Sequence, residues 1–309
     1  MAPPEWNIGG ARDILTQKFP TYGIARKDAP DRKPIPLPQL VTLLLVPTLT
    51  FIATFWLSSF SLRYSAATFA NVACYCMVLP SVTFLGMALG ASGRERSLLL
   101  ITSACCLVAW VSGYAWGDYN YQSLMRPYYD ITQLNTYPSI NPQNVTGAQV
   151  MDAGMIEFVG GSRSLPEYSV GFKNGDTYCV APIGKVNASG NATGNASGST
   201  FDFWAVGMNC CVGHGVEFKC GEYNSMSTWG LRVMEDSHRN MYEVAVKQAE
   251  ASFNIRAPHP VLVYMMTDPK QEVQEYSDDG IKNFTFAIFA YFAFQIAVVV
   301  GAAAVLPWM

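Results

Sequence analysis

Four stretches of this chain contain no charged residue, and they constrain its fold more than any other feature. They cover Leu37–Leu62, Ala66–Gly90, Ser97–Gly117 and Phe284–Trp308. Because a helix needs about 20 apolar residues to cross the hydrocarbon core of a bilayer, each stretch predicts one transmembrane helix. The sequence therefore predicts a tail (1–36), three transmembrane helices (37–118), a separate domain (119–282) and a fourth transmembrane helix (283–309).

Basic residues and glycosylation sequons predict the same orientation for these helices. The tail carries six basic residues, the loop after the second helix carries Arg94 and Arg96, and the loop after the first carries only Arg63. Bases near the ends of spans favour the cytoplasmic side. The N-x-S/T sequons of the 119–282 domain require the opposite side, and they begin at Asn144, Asn187, Asn191 and Asn195. We therefore expect both termini in the cytoplasm and an extracellular or lumenal domain.

The apolar stretches contain no Asp, Glu, Lys, Arg or His. Such residues usually mark proton relays and ion paths, so their absence disfavours a pump or a voltage-gated pore. Asn71 and Gln295 are the polar side chains for which we expect a bond to a neighbouring helix or, alternatively, a place in a polar path. The pairs Gly86/Gly90 and Gly113/Gly117 allow helix backbones to approach closely. We expect them to pack helices within the bundle, with a dimer face as the alternative.

The pattern of residues 119–282 predicts an α+β domain. Residues 168–172, 177–186, 200–211 and 261–266 are typical of strands, and Asp236–Asn254 is typical of an amphipathic helix. Both alternating sets of FDFWAVGM (201–208) are apolar, so this strand should be buried on both faces at the centre of the sheet. The segment NASGNATGNASGS between two of the strands predicts a long, glycosylated hairpin tip.

Four cysteines lie outside the apolar stretches: Cys179, Cys210, Cys211 and Cys220. In an oxidising compartment they predict two disulfide bonds. A bond between the adjacent Cys210 and Cys211 would be strained, which leaves two pairings that each join the doublet to Cys179 and Cys220. With His214 the cysteines offer zinc-ligand chemistry, but adjacent cysteines do not have the usual spacing of two to four residues. We therefore expect no metal and no cofactor.

Two resemblances follow from these segments. The layout and the Cys210-Cys211 doublet resemble tetraspanins, although Val212 stands where their motif has glycine and the first outer loop is far shorter. The segments YCVAPI (178–183), FWAVGMNCC (203–211) and AVKQAEASFNIRAPHP (245–260) are similar to those of an uncharacterised family of protist multi-pass membrane proteins. That resemblance implies no catalytic residues.

These observations favour a non-enzymatic protein. We find no nucleotide-binding, nucleophile-elbow or metalloprotease motif, and no dense basic patch that would bind nucleic acid. The hypothesis is an organiser or accessory subunit of a membrane assembly, whose partners are lipids, other membrane proteins or further copies of this chain. The alternatives are a channel or transport subunit with a path lined by Asn71 and Gln295, and a lumenal thiol enzyme.

Overall fold

The computed structural model describes residues 35–186, 192–193, 200–211, 217–221 and 228–306. Within them, four helical segments are long and apolar enough to cross a membrane: Leu37–Ser59, Ala67–Gly90, Gly93–Thr132 and Pro269–Val305. The prediction of four such helices, with a sheet-containing domain between the third and the fourth, is thus confirmed. The predicted tail lies outside the described residues apart from its last two positions.

The helices of the bundle differ in length and regularity. The second span is interrupted at Met77–Val78 because Pro80, near the start of its second half, has no N–H to continue the helix. The third span continues without a break through a π-helix, Tyr121–Met125, into a further α-helix. In chain order the helices are α1 (Leu37–Ser59), α2 (Ser61–Ser65), α3 (Ala67–Cys76), α4 (Leu79–Gly90), α5 (Gly93–Asn120), α6 (Arg126–Thr132) and, after the sheet, α8 (Pro269–Val305).

The helices of the third and fourth spans are longer than the apolar stretches that predict them. The apolar stretches end at Gly117 and begin again at Phe284, and the sequence predicts a separate domain at 119–282 between them. The helices instead run past these points, to Thr132 on one side and from Pro269 on the other. Helical hydrogen bonds do not depend on the apolarity that marks a span, so a helix can extend beyond it.

Within the described parts of the chain, nine strands form one mixed sheet in the order β1-β2-β8-β9-β7-β5-β3, with β4 and β6 also paired to β5. Strands β1 and β2 run parallel, as do β7 and β9, and the other pairs are antiparallel. The strands are β1 (Asn135–Ile140), β2 (Ala153–Phe158), β3 (Ser162–Ser164), β4 (Val170–Asn174), β5 (Asp176–Val186), β6 (Ala192–Thr193), β7 (Phe203–Met208), β8 (Trp229–Arg232) and β9 (Val261–Met266).

Strand β7 is an interior strand between β9 and β5 and is buried on both faces, as its two apolar faces predict, whereas β9 and not β7 is the middle strand of the sheet order. Phe203 and Ala205 belong to the core on one side of the sheet, whereas Trp204 and Val206 belong to the core on the other. All four are buried.

The helix α7 (Asp236–Phe253) covers the Trp204 face of the sheet with the apolar stripe that its sequence predicts. It begins directly after Glu235, which makes no side-chain capping bond. It ends at Asn254, whose left-handed conformation (φ 53°) terminates the helix before the prolines that follow. Among the described residues, no α-helix covers the opposite face; Val150, Phe218 and the disulfide cysteines pack there.

Candidate binding cleft between the sheet and the bundle helices

A cleft of about 760 Å³ lies where the sheet meets the extensions of the third and fourth spans. Its volume falls within the range of small-molecule and peptide sites. One wall comes from the π-helix and α6, another from β8 and the start of α7, and the rest from β7, β9 and α8. The lining residues are Gln122, Ser123, Arg126, Pro127, Asp130, Ile131, Met208, Leu231, Arg232, Val233, Met234, Glu235, Asp236, Ser237, His238, Tyr264 and Tyr276.

The acidic groups of the cleft are already paired within its walls. The Asp130 carboxylate lies 3.5 Å from the Arg126 guanidinium on the same helix. The Glu235 carboxylate accepts a hydrogen bond from Ser237 (2.8 Å) and lies 3.0 Å from Nδ1 of His238. Asp236 pairs with Arg239 at 2.7 Å. Arg126 and Arg232 also line the cleft and Arg239 lies beside it, so these three bases offset the three carboxylates and a strongly charged ligand is attracted only weakly.

Two further groups in the lining are buried enough to shift their pKa values. Burial lowers the pKa of Arg232, whose guanidinium donates to the carbonyl oxygens of Met151 and Ala153. Burial raises the pKa of the Tyr264 hydroxyl, which neighbours the fully buried Tyr242. Both shifts describe a wall of low polarity, in keeping with the apolar residues that form much of the lining.

The π-helix is the element that aims Gln122 and Ser123 at the cleft. Helices of this type are rare and frequently occur at functional sites. Its last residue, Met125, is buried against Gly280 of α8, where an added Cβ would overlap the Met125 sulfur. Glycine at 280 thus lets the two extended spans approach each other directly below the cleft.

A network of hydrogen-bonded polar side chains joins the spans at the base of the sheet domain. Asn120 donates to the Ser59 hydroxyl (2.6 Å), and the Asn283 amide donates to the Asn120 carbonyl (2.8 Å). The indole N–H of Trp116 donates to Asn283 at 3.2 Å. These bonds tie α1, α5 and α8 together. They also occupy the side chain of Asn283, which begins a fifth sequon at the membrane edge.

Arg63 lies in α2, in the connection between the first and second spans, and fixes this connection to the same region. This side chain pairs with Asp118, donates to the carbonyl of Ser58 (3.2 Å) and lies over the ring of Tyr121 at 4.7 Å. Nearby, Tyr64 contacts Tyr129, with ring centroids 5.1 Å apart. The connection therefore contacts both the π-helix and α6, the two elements that form one wall of the cleft.

The disulfide bonds are Cys179–Cys211 and Cys210–Cys220. This is one of the two pairings that the sequence left open. Gly207 of β7 makes room for it, because a Cβ there would meet Cys210 Sγ and Cys220 Cβ, each at 2.6 Å. Among the described residues, the sulfurs of Cys179, Cys210 and Cys220 are the cluster with the spacing of metal ligands, and all three are in disulfides. His214 lies outside the described residues.

The two glycine pairs have different surroundings. A Cβ at Gly113 would meet the Phe51 carbonyl at 3.0 Å, and one at Gly117 would meet the Phe55 carbonyl at 2.9 Å, so this pair lies against α1. A Cβ at Gly86 or Gly90 would meet no heavy atom within 4 Å. The pair Gly86/Gly90 therefore does not pack against another helix among the described residues, contrary to our expectation of packing within the bundle. The opposite face of α4, with Ser81 and Ala88, is the one buried in the bundle.

Asn71 and Gln295 are not brought together either. Gln295 is fully buried and its amide donates to the Leu43 carbonyl at 2.6 Å, a bond between α8 and α1. Asn71 is exposed on α3, where it makes no hydrogen bond to a described residue. Cys74, Cys105 and Cys106 are buried free cysteines, and Cys76 is an exposed one.

The sequons divide between described and undescribed residues. Asn144 is exposed in a turn, next to a short 3₁₀ helix whose capping box uses Thr146, the third residue of the same sequon. Asn187, Asn191 and Asn195 lie outside the described residues. Glycosylation at all four stays a prediction.

Sequence patterns did not indicate the cleft. Its walls derive from a helix that continues beyond the apolar stretch and from strands far apart in the chain. The i,i+4 pair Arg126/Asp130 was the available signal that the third span stays helical. Comparison of the chain with protein-family models, curated proteins and solved structures found no match. The resemblance to the protist membrane proteins thus stays a prediction.

Proposed function

We propose that this chain is a non-enzymatic, four-pass organiser or accessory subunit of a membrane assembly, and that its cleft holds a segment of a partner protein. The observation that carries the proposal is the composition of the cleft walls. Residues of the sheet domain and of the extended spans line it together. A segment bound there contacts both parts of the molecule, so the partner is held in a fixed position relative to the bilayer.

The chemistry of the lining supports a protein segment as the occupant. Neighbouring bases offset the carboxylates, while Pro127, Met208 and Met234 offer apolar surface. Hydroxyl groups of Ser123, Tyr264 and Tyr276 add hydrogen-bonding positions. Apolar contact with a few fixed polar groups is the usual composition of a site that recognises an amphipathic segment.

The second span supports lateral contacts in the bilayer. Gly86, Gly90 and Asn71 are exposed on it, and only one side of α4 packs against the bundle. A polar amide at a lipid-facing position gains a partner when another helix binds beside it. Other membrane proteins or a second copy of this chain are the proposed neighbours.

The proposed orientation places both termini in the cytoplasm and residues 119–282 outside or in a lumen. The exposed position of Asn144 supports it, because a glycosylated asparagine must be accessible. Removal of N-glycans from the expressed protein should raise its electrophoretic mobility, and Asn144→Gln should remove part of that shift. A protein whose mobility does not respond contradicts the orientation.

The test is purification of the full chain from its own membrane in mild detergent. We expect partners that co-purify reproducibly, and a loss of at least about tenfold in their yield with Ser123→Trp, which fills the cleft. Thr136→Trp, at an exposed position on the edge strand β1, is the matched control and should leave the yield unchanged.

A chain that purifies alone, as a monomer, contradicts the proposal. Ion or solute flux in reconstituted vesicles that is lost on Asn71→Leu would instead support the channel alternative. Alkylation of Cys179, Cys210, Cys211 or Cys220 in the native protein would support the thiol-enzyme alternative, since it requires free thiols.

A further inference from the structure

The two disulfide bonds lie close enough together to react with each other. The sulfurs of Cys179, Cys210 and Cys220 all lie within 4.8 Å of one another, although Cys179 is bonded to Cys211 and not to either of the other two. A thiolate attacks a disulfide in line with the S–S bond that breaks, and sulfurs this close together meet the first condition for such an exchange.

The burial of the four sulfurs differs in a way that gives the reaction a starting point. Cys179 is fully buried and Cys220 is 4% exposed, whereas the adjacent Cys210 and Cys211 are only half-buried. Each bond thus has one buried and one accessible end. An external thiolate reaches Cys210 or Cys211 first, because access determines which sulfur is attacked.

We propose that Cys179, Cys210, Cys211 and Cys220 form a thiol–disulfide exchange site, at which a dithiol reductant converts the Cys179–Cys211 bond into Cys179–Cys210. In the first step a thiolate of the dithiol attacks Cys210, and Cys220 leaves as a thiolate. The second thiol of the reductant then closes its own disulfide and releases Cys210. The net change is the oxidation of one dithiol and the reduction of one protein disulfide.

The second step needs no further reductant. The Cys210 thiolate attacks Cys179 Sγ, a bond forms between them, and Cys211 leaves as a thiolate that takes a proton from solvent. Cys211 and Cys220 are then free thiols, which an oxidant such as a small-molecule disulfide joins. The two pairings that the sequence allows are in this way connected by one internal exchange.

Exchange has a structural consequence for the sheet face that lacks a helix. At present Cys211 forms a β-bridge with Phe218, and the Lys219 amide donates to the Cys210 carbonyl at 2.9 Å. These contacts hold Phe218, which is 1% exposed, against the sheet. A bond from Cys211 to Cys220 is incompatible with this register, so the exchanged form exposes apolar surface on this face.

The direct test uses the full chain in detergent micelles. It is treated with limiting dithiothreitol at about pH 8, quenched with acid at intervals and alkylated, and its disulfides are mapped by peptide mass spectrometry. We expect partly reduced molecules with a Cys179–Cys210 bond and with alkyl groups on Cys211 and Cys220. Partly reduced molecules whose remaining bond is Cys179–Cys211 or Cys210–Cys220 at every time point would overturn the proposal.

A variant tests the internal step without any reductant. Cys220→Ser leaves Cys210 as a free thiol beside the intact Cys179–Cys211 bond. We expect at least about a tenth of the protein to carry Cys179–Cys210 instead, with Cys211 open to alkylation. Cys74→Ser, which removes a buried free cysteine from the second span, is the control and should keep both original bonds. If Cys220→Ser keeps Cys179–Cys211 alone while folded, the exchange does not occur; if it does not fold, limited reduction of the unmodified chain decides.

Discussion

The helical bundle and the sheet domain differ in which side chains they leave exposed, although both bury aromatic residues such as Phe51 of α1. In the sheet domain the largest buried side chains are aromatic and apolar, such as Trp204 and Phe203, both 0% exposed. In the bundle Phe289 is 69% exposed and Leu89 74% exposed, while Gln295 is fully buried. Water drives apolar groups inward in one region, whereas lipid is as apolar as those groups and provides no such force.

The two regions are consequently held together by different means. Spans α1 and α5 approach each other through Gly113 and Gly117, and polar bonds such as Gln295 to Leu43 connect the helices. The sheet domain has an apolar core on both faces of the sheet, with α7 over one and two disulfides beside the other. Burial of large apolar side chains thus stabilises the sheet domain, and close approach of helix backbones stabilises the bundle.

The largest expected effect comes from removing a buried aromatic side chain from the core of the sheet domain. Trp204→Ala leaves a cavity in the core and deletes the indole bond to the Phe201 carbonyl (2.9 Å). We expect the free energy of unfolding of the sheet domain to fall by about 3–5 kcal/mol. Phe289→Ala, at a lipid-facing position, should change stability by less than about 0.5 kcal/mol.

Denaturant titration in detergent, followed by near-ultraviolet circular dichroism, measures both variants. An equal loss for Phe289→Ala would break the comparison, because it would mean that this face of α8 packs against another protein rather than against lipid.

The second prediction concerns the sheet face that has no covering helix. Cys210→Ala with Cys220→Ala removes a bond between residues 10 apart in the sequence, and we expect a loss of about 3 kcal/mol. The physical reason is that Phe218 and its neighbours are held on the sheet by that bond. Cys76→Ala, an exposed free cysteine of the second span, is the control and should be close to neutral.

Thermal unfolding monitored by circular dichroism, with limited proteolysis near residue 218, measures this loss. An unchanged transition in the double variant would show that packing alone holds this face.

Much of this contrast was predictable from the sequence, because the two solvents produce different residue patterns. Uncharged stretches predicted the spans, and the apolar residues on both faces of 201–208 predicted a strand buried on both sides. What could not be predicted depends on three-dimensional proximity. The disulfide pairing depends on the space that Gly207 leaves for Cys210 and Cys220. The cleft depends on a helix that continues past Asp118. The two glycine pairs have similar spacing and differ only in what lies next to them.

The third prediction separates those glycine pairs. Gly117→Leu places a side chain against the Phe55 carbonyl and the Ser58 hydroxyl, so α1 and α5 must move apart. We expect a loss of about 1–3 kcal/mol, as for other overpacked interfaces, measured by titration of the protein from mild detergent into dodecyl sulfate. Gly90→Leu should not alter the unfolding of the isolated chain, since a Cβ there meets no atom within 4 Å.

The size of the particle in mild detergent completes this test. A Gly90→Leu variant that loses a partner while the fold stays intact would assign the open face of α4 to a lateral contact. A Gly90→Leu variant that unfolds as readily as Gly117→Leu would mean that α4 is packed on both sides.

The smallest effect is expected from the buried amide of the bundle. Gln295→Met keeps the volume of the side chain and removes the bond to the Leu43 carbonyl. It also removes the amide oxygen of Gln295, which is buried without a partner, and the loss of this unpaired group offsets part of the cost. Hydrogen bonds between membrane helices contribute about 0.6 kcal/mol on average, so we expect a loss of about 1 kcal/mol or less in the dodecyl sulfate titration.

Asn71→Leu is the comparison, because it removes an exposed amide of the second span and should leave the stability of the isolated chain unchanged or slightly higher. A loss above about 2 kcal/mol for Gln295→Met would show that the bundle depends on this buried polar bond more than membrane helices usually depend on one hydrogen bond.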